Sequence, residues 1–189
     1  MKLQTKRLIL RELNDKDLKE LVKQANNIKV AQYTELIPNP YSITDGKWFI
    51  KNCIKNVKKK PQNHYPFAIC DKSTNKFMGM IGYTHFDSFT KSAELGYWIG
   101  EEYWRQGYMS EAVEKMISFG FMNLKLIRIN AHTMNENIAS NNLLENFGFV
   151  HEGGSKKGVR TKSTKKWHDT RHYGLLKEDW IKKKKRKIK

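Results

Sequence analysis

The chain has 189 residues, 39% of them hydrophobic, so it is long enough for one domain with a single core and too apolar for a fully disordered protein. Lysine and arginine number 36 against 19 aspartates and glutamates, and the net charge of +17 favours anionic partners such as nucleotides, phosphorylated cofactors or RNA. With only Cys53 and Cys70, no signal-peptide core and no apolar run of about 18 residues, the composition excludes a disulfide scaffold, a zinc ribbon and a membrane span, and we expect a cytoplasmic protein.

The first third of the chain predicts one strand followed by two helices. Apolar residues bounded by charged ones indicate a strand at Arg7–Leu13. Asn14 has the residue type of a helix N-cap, with Asp17 three positions later, and apolar residues then recur at helical spacing. Thr44 is the predicted cap of the second helix, which ends before the lysines that precede Pro61.

The rest of the chain predicts a three-stranded segment and then alternating helices and strands. Pro66–Cys70 and Phe77–Phe86 flank a polar turn and indicate a hairpin. The other predicted elements are a strand at Ala93–Ile99, a helix at Ser110–Met122, a strand at Leu126–Thr133, a helix at Ile138–Phe147 ending at Gly148, a strand at Phe149–Glu152, a basic loop at Gly153–Lys166 and a strand at Thr170–Leu176. This order predicts one mixed α/β domain over residues 1–180 and a basic, disordered tail over residues 181–189.

A strand, a tight turn and a helix start follow one another at Gly96–Gly100 and Arg105–Ala112. A turn that leads into a helix leaves backbone N–H groups unpaired, and the helix dipole adds positive potential there. Gly107 lets the backbone approach a ligand closely. The arrangement is compatible with a phosphate site, although one glycine in such a turn is more often part of an ordinary strand-to-helix connection.

The segment Asn135–Phe149 carries a longer pattern, N-x-x-S-x-x-L-x-x-x-x-G-F, that resembles the signature of the GNAT superfamily of acyl-CoA N-acyltransferases. Thr5–Arg11 and Tyr173–Trp180 resemble the branch that contains the ribosomal-protein N-terminal alanine and serine acetyltransferases. The resemblance covers about residues 3–180 in order. It implies a GNAT fold, in which a central, mostly antiparallel, splayed sheet is flanked by helices.

The same resemblance implies acetyl-CoA as the acyl donor. The pantetheine arm is expected along Tyr97, Trp98, Ile99 and Gly100, and the pyrophosphate on the amides of Arg105, Gln106, Gly107, Tyr108, Met109 and Ser110. Asn137 and Ser140 are expected beside the thioester. The side chain of Arg105 either approaches a phosphate or is solvated. The family pattern Q/R-x-x-G-x-G/A is altered at its two ends, by Trp104 and Met109.

Direct acyl transfer needs a group that protonates the departing thiolate and a base that deprotonates the amine. Many family members use a tyrosine as the acid, but Leu144 stands at that position here, so Ser140 inherits the role by resemblance. Glu94 is the first candidate base, since it matches the strand glutamate of the histone-acetylating members, and His132 is the second. The glutamate that other members of the ribosomal-protein branch carry after the last helix has no counterpart in Lys156–Arg160.

The acceptor is left open by the sequence. Lys156–Lys166 and Lys182–Lys189 are strongly basic, which fits either a solvated surface or docking on ribosomal RNA and disfavours cationic small amines. We expect the amine of a protein N-terminus, with a small-molecule amine as the alternative and a non-catalytic CoA-binding or RNA-binding module as a third hypothesis. The six histidines show no metal-ligand spacing, so no metal is expected, and the fold allows a monomer or a homodimer.

Overall fold

A computed structural model describes residues 1–59 and 62–188 of the chain, and the side chains up to residue 185. The strands are β1 (Lys2–Gln4), β2 (Leu8–Arg11), β3 (Tyr65–Asp71), β4 (Phe77–Asp87), β5 (Ser92–Ile99), β6 (Arg128–Met134), β7 (Val150–Arg160) and β8 (Trp167–Leu176). The helices are α1 (Leu18–Ala25), α2 (Ile28–Ala31), α3 (Ile43–Lys58), α4 (Tyr108–Met122), α5 (Ile138–Phe147) and α6 (Lys177–Ile188).

The strands form one sheet in the order β1-β2-β3-β4-β5-β6-β8-β7. Neighbouring strands are antiparallel except β5 and β6, which run parallel. The parallel pair is joined by α4, the helical crossover that such a connection requires. The expectation of a mixed, mostly antiparallel sheet flanked by helices is confirmed.

Side chains that alternate along the strands divide between two buried clusters, one on each face of the sheet. On β3, Phe67 and Ile69 belong to the cluster that includes α4 and α5. Ala68 and Cys70 belong to the other cluster, which includes α1 and α3. This alternation fixes which face each residue of a central strand presents, and therefore from which side of the sheet a functional side chain approaches the site.

Two helix starts show how the local sequence sets the element boundaries. Asn14 and Asp17 form the predicted capping box, in which the Asp17 carboxylate accepts the Asn14 N–H at 2.9 Å. The prediction that Thr44 caps α3 is wrong by two residues. Ser42 is the cap, because its hydroxyl and the Asp45 carboxylate reciprocally accept the backbone N–H groups of Asp45 and Ser42.

Two other expectations differ from the structure. Most of the predicted basic loop at 153–166 is strand β7, since pairing with β8 outweighs the local glycine and lysine content. The segment expected to be disordered from residue 181 continues helix α6, which is rich in lysine, a good helix former, and is anchored by Trp180 against Phe121 with ring centroids 5.3 Å apart. Residue 189 lies outside the described residues.

No helix in the described part of the chain combines the length and apolar character of a membrane span.

Candidate active site

The sheet opens between its two parallel strands. β5 and β6 pair only where Ser92–Glu94 faces Arg128–Asn130. Beyond that point, residues 95–99 of β5 pair with β4 alone, and residues 131–134 of β6 pair with β8 alone. We call the wedge between residues 95–99 and 131–134 the split. It confirms the splayed sheet expected from the sequence.

One wall of the split is an exposed backbone edge. The Gly100 N–H donates to Met78 O at 2.9 Å on the β4 side, and hydrogen-bonding direction alternates along a strand, so the peptide groups of Tyr97 and Ile99 are directed away from β4. The Ile99 carbonyl accepts the Trp104 Nε1–H at 2.9 Å, which leaves the Tyr97 N–H and C=O and the Ile99 N–H facing the split. A Cβ built on Gly96 would meet nothing within 4 Å. Trp98 points to the α1–α3 face, with its ring centroid 5.9 Å from that of Phe77. The edge can therefore accept an extended chain with amide groups, as an additional strand would be accepted.

The turn before α4 lies at the end of this edge, and we call its residues 105–110 the phosphate turn. Arg105 and Gly107 both have left-handed backbones, with φ of +58° and +78°. Gly107 is the N-cap of α4 and gives it no side-chain cap, so the first amides of the helix are free for an anion. Tyr108 and Met109 pack against the core, while the side chains of the remaining turn residues, Arg105, Gln106 and Ser110, are exposed.

The opposite wall of the split ends in the first turn of α5. Asn137 caps this helix by accepting the Ser140 N–H at 3.2 Å. The Ser140 hydroxyl lies 2.8 Å from the Tyr97 hydroxyl, across the split. Burial raises the pKa of Tyr97 to about 12, so the phenol keeps its proton at neutral pH. Leu144 is fully buried in the core, and Tyr97 supplies a phenol to this region instead.

Glu94 and His132, predicted as alternative bases, are in direct contact. Glu94 Oε1 lies 2.7 Å from His132 Nδ1. The hydrogen bond raises the pKa of His132 and lowers that of Glu94, because each charged group stabilises the other. By strand alternation both side chains lie on the α1–α3 face, opposite the Tyr97–Ser140 pair. The two pairs therefore approach the split from opposite sides of the sheet.

Three further residues surround the Glu94–His132 pair, and the sequence does not point to them. His85 Nδ1 lies 3.7 Å from Glu94 Oε2, and His172 faces His132 across the β6–β8 pairing. The carboxylate of Glu35, from the segment after α2, also contributes to the raised pKa of His132. No local motif marks these residues, because only the strand register and the packing of the α2–α3 connection bring them to Glu94 and His132.

The family model for the acetyltransferase (GNAT) domain matches residues 7–150, which contain the split, the phosphate turn and both residue pairs. The chain belongs to the GNAT family. Membership in the GNAT family makes the chain an acetyl-CoA-dependent N-acyltransferase.

Relatives of this GNAT domain differ in the acceptors that their names give. The uncharacterized N-acetyltransferase YoaA of Bacillus subtilis is 33% identical over 175 residues, covering 93% of this chain and 96% of YoaA. The [ribosomal protein uS5]-alanine N-acetyltransferase of Escherichia coli is 26% identical over 183 residues, covering 95% and 93%. The spermidine N-acetyltransferase of Vibrio cholerae, solved with CoA and spermine, shares the fold with a TM-score of 0.77 at 22% identity, covering 94% of this chain and 99% of that one.

Proposed function

We propose that this GNAT domain transfers the acetyl group of acetyl-CoA to the α-amine of a protein N-terminus, with ribosomal proteins as the favoured substrates. The observation that carries the proposal is the split, which has a hydroxyl pair on one face of the sheet and a carboxylate–imidazole pair on the other. A donor that enters from one face and an amine that enters from the other would meet between Tyr97 and Glu94. Such an arrangement suits direct transfer without an acyl-enzyme.

The donor fits the described edge and turn. The amides of a pantetheine arm find partners in the N–H and C=O of Tyr97 and in the N–H of Ile99, whose carbonyl accepts from Trp104 Nε1. Gly100 keeps this end of the strand close to Gln24, since a Cβ there would lie 2.0 Å from Gln24 Oε1. The pyrophosphate finds the free amides of the phosphate turn. Asn137 fixes the first turn of α5, and with it the height of Ser140 above the split.

The Glu94–His132 pair takes a proton from the acceptor amine, and the Tyr97–Ser140 pair supplies a proton to the departing thiolate. His132 accepts a proton from the acceptor amine, and Glu94 holds the imidazole through Nδ1 and stabilises the imidazolium that forms. The amine nitrogen forms a bond to the thioester carbon, and the carbon–sulfur bond breaks with its electrons on sulfur. Ser140 donates its proton toward that sulfur and recovers one from Tyr97, which is reprotonated from solvent.

A protein N-terminus is favoured over a small amine by the charge and by the relatives. The net charge of +17 repels polyamines at long range, and the E. coli relative named above acts on a ribosomal-protein alanine. One observation favours a small cationic amine instead: the carboxylates of Glu35 and Glu94 both act on His132. A local acidic group of this kind can hold an ammonium ion in a basic protein.

The test is the release of CoA thiol from acetyl-CoA in the presence of defined acceptors. The acceptors are peptides beginning with alanine, serine or methionine, the same peptides blocked at the N-terminus, spermidine and an aminoglycoside. Turnover with free but not blocked peptides is the expected result. Turnover with spermidine or the aminoglycoside alone would overturn the peptide assignment and leave the donor assignment in place, and binding of acetyl-CoA without turnover would indicate a non-catalytic module.

We also propose that the basic surface docks the enzyme on ribosomal RNA. The exposed lysines of the β7–β8 hairpin are Lys156, Lys157, Lys162, Lys165 and Lys166, and α6 exposes Lys182, Lys184 and Lys185. Affinity for a ribosomal RNA fragment, measured by fluorescence anisotropy, should fall by about tenfold or more between about 50 and 200 mM salt, because phosphate contacts release counterions.

A triple charge reversal of Lys162, Lys165 and Lys166 to glutamate should weaken this binding. The matched control reverses Lys47, Lys51 and Lys55, three exposed lysines of α3, and changes the net charge by the same amount. Equal losses in the two triple variants would assign the effect to overall charge and overturn the docking surface.

A further inference from the structure

The first turn of α4 is tied to the connection between β1 and β2 by one carboxylate. Glu111 Oε1 accepts hydrogen bonds from the Thr5 hydroxyl at 2.5 Å and from the Arg7 backbone N–H at 2.7 Å. Glu111 Oε2 accepts one from Arg7 Nε at 2.7 Å. Although burial opposes ionisation, these hydrogen bonds lower the pKa of Glu111, so the carboxylate is charged at neutral pH.

Arg7 extends this contact into the phosphate turn. Its Nη1 donates to the carbonyl of Gln106 at 2.9 Å, and its guanidinium carbon lies 4.3 Å from the centroid of the Tyr108 ring. A Cβ built on Gly107 would lie 3.4 Å from Arg7 Nη2. One side chain therefore contacts Gln106 and Tyr108 and lies beside Gly107 between them, at the turn whose backbone amides begin α4.

The turn needs such support. The left-handed backbone of Arg105 is disfavoured for a residue with a Cβ, and such conformations persist where surrounding contacts hold them. The Gln106 carbonyl is the group that Arg7 binds, so the peptide between Gln106 and Gly107 is held with its N–H directed away from Arg7. Without Arg7, this peptide is free to rotate and the amides lose their common orientation.

We propose that Arg7 and Glu111 form a clamp that positions the phosphate turn for the pyrophosphate of the acyl donor. The inference rests on the donor site proposed above and adds two positioning residues to it. Their contacts link the residues that immediately precede β2 to the first turn of α4. The clamp should therefore control affinity for the nucleotide half of the donor and leave acyl transfer itself unaffected.

The experiment compares two donors and two readouts in the full chain. Acetyl-CoA carries the pyrophosphate, and S-acetylpantetheine has the same thioester and arm without it. Arg7→Gln should raise the KM for acetyl-CoA, and the calorimetric Kd for CoA, by about tenfold to a hundredfold, as expected for a lost charge-assisted contact. Its kcat/KM with S-acetylpantetheine should equal that of the unsubstituted chain. Arg7→Lys, which keeps the charge but not the forked geometry, should show a smaller loss of the same kind.

Arg128→Gln is the matched control. Arg128 pairs with Glu152 at a similar exposure, 33% against 40% for the Arg7 side chain, and it lies at the start of β6, where the split is closed. This variant should bind CoA normally. Equal losses with both donors in Arg7→Gln would indicate general damage to the fold and would overturn the clamp. Unchanged CoA binding in Arg7→Gln would also overturn it. If the unsubstituted chain fails to bind CoA, the donor site itself is wrong and the clamp falls with it.

Discussion

Glu94→Gln should lower kcat/KM at neutral pH by about two to three orders of magnitude, within the range that general base catalysis contributes. Glutamine keeps the size of the side chain but cannot stabilise an imidazolium on His132, which lies 2.7 Å away. Steady-state kinetics with saturating acetyl-CoA and a varied concentration of acceptor peptide measures the loss. Unchanged turnover with an unchanged pH profile would exclude Glu94 from the proton transfer.

The pH profile identifies which member of the pair takes the proton. If His132 is the base, it works only in its neutral form, so kcat/KM falls as the pH drops through the pKa of His132. Glu94 raises this pKa, so the fall on the acidic side of the profile, its acidic limb, should lie above the ordinary histidine value of about 6.5. Removal of the Glu94 charge lowers the pKa of His132, so in Glu94→Gln the acidic limb should move to lower pH. The maximal kcat/KM, reached on the plateau above the limb, should also be smaller. If Glu94 is itself the base, the limb lies below the ordinary glutamate value of 4.5, since His132 lowers the pKa of Glu94.

His132→Asn separates these two cases. It should remove the acidic limb near neutral pH and reduce the plateau about as much as Glu94→Gln, and the double variant should be no worse than either single one, because residues that act as a unit are not additive. A limb below 4.5 that moves up toward 4.5 in His132→Asn would assign the base to Glu94, because the substitution removes the group that lowers the pKa of Glu94. His85→Asn is the control, since its imidazole lies 3.7 Å from the same carboxylate and is exposed.

The elements whose signals are local could be predicted from the sequence. The helix at Ile138–Phe147 has the predicted bounds, and Gly148 ends it with φ of +93°. Its cap, its apolar spacing and its terminating glycine all lie within the same short segment. The predicted strand at Phe149–Glu152 is the start of β7, but residues 153–160 are predicted as a loop because they are rich in lysine, glycine and serine, whereas their strand structure comes from pairing with β8. A local pattern cannot report a partner strand that lies further along the chain.

The candidate site shows the same difference between residues with a local sequence signal and residues that only the fold brings together. The phosphate turn and the start of α5 are contiguous motifs, so a resemblance in sequence can point to them as candidate donor-binding segments. The sequence predicts Glu94 and His132 as alternative bases. Only the β5–β6 register shows that they form one pair. The contact between Tyr97 and Ser140 and that between Arg7 and Gln106 join residues that are far apart in sequence, and no spacing rule connects them.

Ser140→Ala should lower kcat by about a hundredfold to a thousandfold, the usual cost of removing one donor that stabilises developing negative charge. Tyr97→Phe should lower kcat by about tenfold, because the phenol acts through Ser140 rather than on the thioester. The KM for acetyl-CoA should change little in either variant, since the contacts to the pantetheine arm come from backbone groups. Tyr173→Phe is the control: its hydroxyl also bonds to α5, at Glu145 Oε1, and its loss should affect stability without affecting kcat.

The double variant Tyr97→Phe/Ser140→Ala tests the coupling between the two hydroxyls. If Tyr97 serves Ser140, the double variant should be no slower than Ser140→Ala, whereas independent roles would make the two losses multiply. A second test uses the leaving group. An acetyl thioester of a more acidic thiol releases a thiolate that needs less stabilisation, so the deficit of Ser140→Ala should shrink with such a donor. A deficit that stays constant across thiols would place Ser140 in binding rather than in protonation, and would leave Tyr97 with a structural role in holding α5 against β5.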